Sequence, residues 1–176
     1  MAFEVAQSLG VPLEVFIVRK LGVPQYEELA MGALASGGVL VLNRAVVDKL
    51  QIPEEVVQAV AQQELAELQR RETLYRAQRP PLELRNRTVI LVDDGLATGS
   101  TMRAAVSAVR QLGAGRIVVA VPVAAAETYA AFQGEVDEMV CALIPDHFHA
   151  VGQWYSNFAQ TTDEEVSQLL DQSRAA

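Results

Sequence analysis

The sequence predicts an α/β protein built on a doubly wound parallel sheet with helices on both faces. Apolar runs of strand length alternate with helix-length segments along most of the 176 residues. Those runs are apolar on both faces rather than alternating, as strands are when a parallel sheet is covered from both sides. The 51% hydrophobic and 20% charged composition suits one folded domain, residues 1–176, large enough to bury a core.

The elements follow in order. "AFEVAQSL" (2–9) has helical spacing and stops at Gly10. "LEVFIV" (13–18), rich in β-branched and aromatic residues, reads as a buried strand. Residues 21–38 hold four glycines and a proline and read as a long loop before the strand "VLVLN" at 39–43. From Pro53 to Gln78 one long helix is expected, with proline at its first position, two acids in the first turn, and Pro80 and Pro81 as its stop. Then come strand 88–92, helix 100–112 closed by Gly113, strand 116–123, a short helix Glu127 to Phe132 and strand 138–144. The tail "AVGQWYSNFAQ" (150–160) is irregular or short strand, and a last helix starts with a capping box from Thr162 to Glu165. There are no repeats and no second core.

Charge and composition exclude several partners. A formal net charge of −8 and a pI near 4.8 disfavour a nucleic acid or an anionic membrane as the main partner. One cysteine, Cys141, cannot form an intrachain disulfide, and with His147 and His149 it makes no zinc set of recognised spacing. No apolar run approaches the roughly 18–20 residues that span a bilayer, and the first ten residues lack a signal peptide's basic start and apolar core. A reducing cytoplasm is the expected compartment.

The chemistry concentrates in "TVILVDDGLATGST" (88–101). Adjacent carboxylates at the end of a buried strand repel each other and resist desolvation, so Asp93 and Asp94 call for a ligand. In parallel sheets ligands sit beyond the carboxyl ends of the strands. The small residues that follow let a ligand approach the main chain, and the next helix offers amides and a positive dipole end, which suit a phosphate. Phosphate cradle and acids together fit a ligand bearing a phosphate with vicinal hydroxyls, or a phosphate with Mg²⁺. An ATP or GTP phosphate loop is excluded, since Gly95 and Gly99 are four apart and no lysine follows. The dinucleotide fingerprint is absent as well. A signalling receiver domain needs a later phosphoacceptor and a lysine, whereas Lys20 and Lys49 both lie upstream.

Over residues 89–101, "VILVDDGLATGST" resembles the signature of the type I phosphoribosyltransferases. "FIVRK" (16–20) is similar to the strand end that carries basic residues in adenine and orotate members, and the loop after it to their flexible catalytic loop. "RKLGVPQYEELAMGALASGG" and "AVGQWYSNFAQTTDEEV" resemble a bacterial subgroup, the latter as a small C-terminal hood segment. The resemblance implies a ligand, 5-phosphoribosyl 1-diphosphate, attacked at ribose C1 by a nitrogen nucleophile, in the first instance a nucleobase. It implies that Ala97, Thr98, Gly99, Ser100 and Thr101 hold the 5-phosphate. Asp93 and Asp94 would bind the ribose hydroxyls and, directly or through water, Mg²⁺. Arg19 and Lys20 would neutralise the diphosphate. A homodimer is left open, and a non-catalytic, regulatory binder of the same ligand or of a nucleotide is the alternative.

Three departures from the family pattern stand out. Gly95 replaces an apolar residue, and Ala97 replaces the aspartate of hypoxanthine and guanine enzymes, although adenine-type members share the alanine. The family's first core strand and its diphosphate loop, expected before residue 2 and centrally between strands 13–18 and 88–92, have no counterpart. A chain truncated at its start, with Met1 internal to a longer protein, is therefore expected. Elsewhere bland readings prevail. Phe148, Trp154, Tyr155 and Phe158 are read as core before base-stacking residues, Cys141 as a small buried hydrophobe, and His147 and His149 as surface. The six arginines from Arg70 to Arg87 are read as a solvated face or subunit contact rather than a nucleic-acid site.

Overall fold

The computed structural model describes residues 1–76 and 82–175. Helix α1 (Ala2–Leu9) ends where predicted. Gly10 takes the left-handed conformation at φ 62°, donating to Gln7 while Val11 donates to Ala6.

The first half of the chain departs from expectation. Residues 21–38 are not a loop: β1 (Val18–Val23), β2 (Tyr26–Ala35) and β3 (Val39–Leu42) form an antiparallel sheet in that order. The glycines that suggested a loop serve the sheet. Gly22 lies at a register shift between β1 and β2, Gly37 and Gly38 make the next turn at φ 81° and 74°, and a Cβ on Gly32 would lie 2.5 Å from the Val41 carbonyl. The strand "VLVLN" thus pairs with β2 and not with the parallel sheet. A six-residue helix, α2 (Arg44–Lys49), is capped by the Asn43 side chain on the Val46 amide and is too short to show a period in the sequence. Helix α3 (Glu54–Arg76) covers this sheet, burying Val57, Ala61 and Leu68 with Leu21, Met31 and Leu34. Its expected stop at Pro80 and Pro81 lies outside the described residues.

The second half follows the prediction almost residue for residue. Strands β4 (Thr88–Val92), β5 (Arg116–Val123) and β6 (Glu138–Leu143) form a parallel sheet in that order, with α4 (Ser100–Gln111) and α5 (Ala126–Phe132) as crossovers. Leu91, Ile117, Val119 and Val121 pack against Met102, Ala105, Val109 and Phe132. Helix α6 (Asp163–Ala175) opens with the capping box: Glu165 N–H donates to Thr162 Oγ1 at 3.2 Å, and Thr162 N–H donates to Glu165 Oε2 at 2.8 Å. Among the described residues no helix is long and apolar enough to cross a membrane.

The strand expected at 13–18 enters a ladder only at Val18, and Ile17 exchanges its backbone bonds with Ser36. A strand needs a paired neighbour. Among the described residues β4 is paired on one edge only, by β5; its residues and Leu13–Ile17 line a common cavity of about 1230 Å³, together with side chains of α1 and α4. No described strand lies in that space.

Candidate active site

β4 delivers Asp93 and Asp94 to the carboxyl end of the parallel sheet, and the chain then turns back over β5. Leu96 anchors the turn: its side chain is buried, its N–H donates to the Val123 carbonyl and its own carbonyl accepts from Ala125 N–H, both at 2.9 Å. Gly95 is required here, because a Cβ would lie 2.8 Å from Val151 Cγ1 and 3.0 Å from the Val123 carbonyl. The space that an apolar side chain fills elsewhere is taken by the C-terminal segment. Gly99 stands at the N-cap of α4 with φ 69° and brings no capping side chain; only a long 3.5 Å bond from Ser100 N–H to Thr98 Oγ1 engages that helix end.

The two acids are half-buried. Asp93 Oδ1 accepts the Asp94 N–H at 2.9 Å. Burial raises the Asp93 pKa above the ordinary carboxylate value, the Asp94 amide partly offsets this, and the charge of Asp94 adds to the rise. Burial likewise raises Asp94. Among the described residues neither carboxylate forms an ion pair with lysine or arginine. The donor set fits a hard cation such as Mg²⁺ held in part by ligand oxygens or water, since no three metal-binding side chains converge among the described residues.

A pKa raised by folding means that the folded chain holds its protons more tightly than the unfolded one. The penalty is complete above the raised values, and stability returns as pH falls through them toward the ordinary carboxylate range. Asp93→Asn should therefore raise the melting temperature of the ligand-free protein near neutral pH. The gain should shrink on approach to about pH 4, where the unfolded carboxylate also protonates; thermal unfolding across that range checks it.

Ala97, Thr98, Ser100 and Thr101 are exposed around the buried Gly99, so the structure gathers the small-residue loop and the acids at one strand end. It does not bring Arg19 there: on β1, Arg19 Nε forms a 2.6 Å ion pair with Glu64 of α3, and the adjacent Lys20 is exposed. The sequence anticipates the C-terminal segment only in part. Tyr155, after a 3₁₀ turn (Val151–Trp154), donates its hydroxyl to the Asp94 carbonyl and stacks on Phe158 with centroids 5.2 Å apart. Burial first, then the charges of Asp94 and Asp93, raise the Tyr155 pKa. Trp154 is 39% and Phe158 50% exposed, so these rings are not core, contrary to the expectation from sequence. Cys141 is only partly buried, its thiol donating to the Leu143 carbonyl, while His147 and His149 are exposed as expected. No sequence signal announces the Tyr155–Asp94 contact, which spans 61 residues.

Comparison with known proteins identifies the family. The family model of the phosphoribosyl transferase domain matches residues 25–158. Two Mycobacterium tuberculosis proteins provisionally named phosphoribosyl transferases, MT0597 of strain CDC 1551 / Oshkosh and Rv0571c of strain ATCC 25618 / H37Rv, are each 47% identical over 98% of this chain. The chain spans 39% of their length. The crystal structure of TT1426 from Thermus thermophilus superposes with a TM-score of 0.82 at 40% identity, covering 96% of this chain and 79% of that one. On a family match over most of its residues, seated on the same strand–loop–helix that holds the acids, the chain belongs to the type I phosphoribosyltransferase family.

Proposed function

We propose that this chain transfers the 5-phosphoribosyl group from 5-phosphoribosyl 1-diphosphate to a nitrogen acceptor of nucleobase type, with release of diphosphate. The observation that carries the reading is the pair of half-buried carboxylates, without basic partners among the described residues, beside a helix end whose N-cap residue is a glycine. The amides and hydroxyls of residues 97–101 bind the 5-phosphate. Asp93 and Asp94 accept the ribose 2- and 3-hydroxyls, fixing the ring so that C1 faces the acceptor. Asp93 and Asp94 are the residues that would hold Mg²⁺, which when bound would supply charge neutralisation for the diphosphate. As positive charge grows on the ring, the adjacent carboxylates favour it electrostatically. Of the two basic residues of β1, Lys20 is the one whose charge is available to the departing group, since Arg19 is paired with Glu64. The exposed faces of Trp154 and Phe158, fastened to the site through Tyr155, offer a flat apolar rest for an aromatic base.

The test is turnover. Protein incubated with phosphoribosyl diphosphate, Mg²⁺ and a panel of nucleobases should release diphosphate and form a nucleotide with at least one of them. The regulatory alternative is favoured by two observations: Glu64 engages Arg19, and Ala97 brings no carboxyl to handle a base proton. Saturable binding with no diphosphate release across the panel would establish that alternative instead.

A further inference from the structure

The loop that follows Gly95 is gripped from behind. Thr128 on α5, 9% exposed, donates its hydroxyl to the Ala97 carbonyl at 2.5 Å. Arg103 on α4 donates through Nη1 to the next carbonyl, that of Thr98, at 2.8 Å. The guanidinium is itself fixed: Nε donates to both Glu135 carboxylate oxygens at 2.9 and 3.1 Å, and its central carbon lies 4.9 Å from the centroid of the fully buried Phe132 ring. Gly99 rests on the same support, with Phe132 Cε2 and Thr128 Cγ2 where its Cβ would be.

Two consecutive carbonyls are therefore captured by side chains of the scaffold. In a trans peptide the C=O and the following N–H point in opposite directions. Holding the Ala97 and Thr98 carbonyls toward the scaffold turns the N–H groups of Thr98 and Gly99 away from it, and successive amides so presented form an anion-binding concavity. Arg103 has its charge balanced by Glu135, so its contribution is a fixed direction for a peptide and not a free cation. We infer that Thr128 and Arg103 are positioning residues for the phosphate site, holding two backbone amides of the 97–101 loop in their anion-facing orientation.

This rests on the reading of residues 97–101 as the phosphate cradle, so the experiment separates the two ideas. Binding of ribose 5-phosphate is measured by calorimetry for the wild type, Thr128→Val and Thr128→Ser, and backbone ¹⁵N order parameters at Thr98 and Gly99 are measured by NMR in the ligand-free proteins. Valine keeps the methyl under Gly99 and puts a second methyl in place of the hydroxyl, so the Ala97 carbonyl loses its donor. It should weaken binding about tenfold, the loss of one hydrogen bond's worth of orientation, and lower the order parameters of those two amides, while serine restores both. If the buried Thr128 site does not tolerate valine, Arg103→Met, at a side chain 38% exposed, should give the same pair of changes. Wild-type binding with unchanged affinity and order parameters in the variants overturns the positioning role alone. A wild type that binds neither ribose 5-phosphate nor phosphoribosyl diphosphate overturns the cradle and this inference with it.

Discussion

Replacing Asp93 and Asp94 together by asparagine is expected to abolish Mg²⁺-dependent binding of phosphoribosyl diphosphate. Hydrogen bonds to charged groups contribute about 1.5–3 kcal/mol each, so losing two lowers affinity roughly a hundredfold or more. The metal contribution disappears as well, because an amide oxygen is a much weaker ligand for a hard cation than a carboxylate. Calorimetry with and without Mg²⁺ reads the effect. The ligand-free variant should melt no lower than the wild type, since burial already disfavours both charges. An unchanged affinity would remove the acids from the site, and lost affinity in a destabilised protein would contradict the account of their burial.

Gly99→Ala should be the most damaging single substitution in the loop. The left-handed backbone at φ 69° costs a non-glycine residue about 1–2 kcal/mol. The new methyl would stand 2.5 Å from Phe132 Cε2, and Phe132 has no exposed surface through which to yield. Overpacking of this kind adds about 1–3 kcal/mol. Together these lower the melting temperature by about 5–15 °C in a chain of this size. Phosphate affinity falls too, because the methyl separates the loop from Thr128 and Phe132. Gly134→Ala is the control: its nearest neighbour, the Ala131 carbonyl, lies 3.7 Å from the added Cβ, and its melting temperature should match the wild type.

What the sequence could reveal divides along physical lines. The parallel sheet was legible because β4, β5 and β6 are short, apolar on both sides and separated by helices with clear ends. The capping box of α6 was visible for the same reason, since four adjacent residues contain all of its chemistry. The antiparallel sheet was hidden because Gly22, Gly32, Gly37 and Gly38 look like loop residues until their partners are known. Residues 13–16 carry a strand's composition, yet pairing is made by a neighbour and not by the segment itself. At the site, Asp93 and the 97–101 loop are close in the chain and could be read together. Their support is remote: Thr128 reaches Ala97 across 31 residues, Arg103 relies on Glu135 across 32, and Val151 fills the space beside Gly95. Nothing in a linear string marks such contacts.

The tie between Tyr155 and the Asp94 main chain gives the protein an optical gauge of its own. Trp154, immediately before it, is the sole tryptophan, and its indole lies partly in solvent. Emission from that ring reports the seam between the C-terminal segment and the carboxylates, so filling of the cleft can be followed by light alone, without a label.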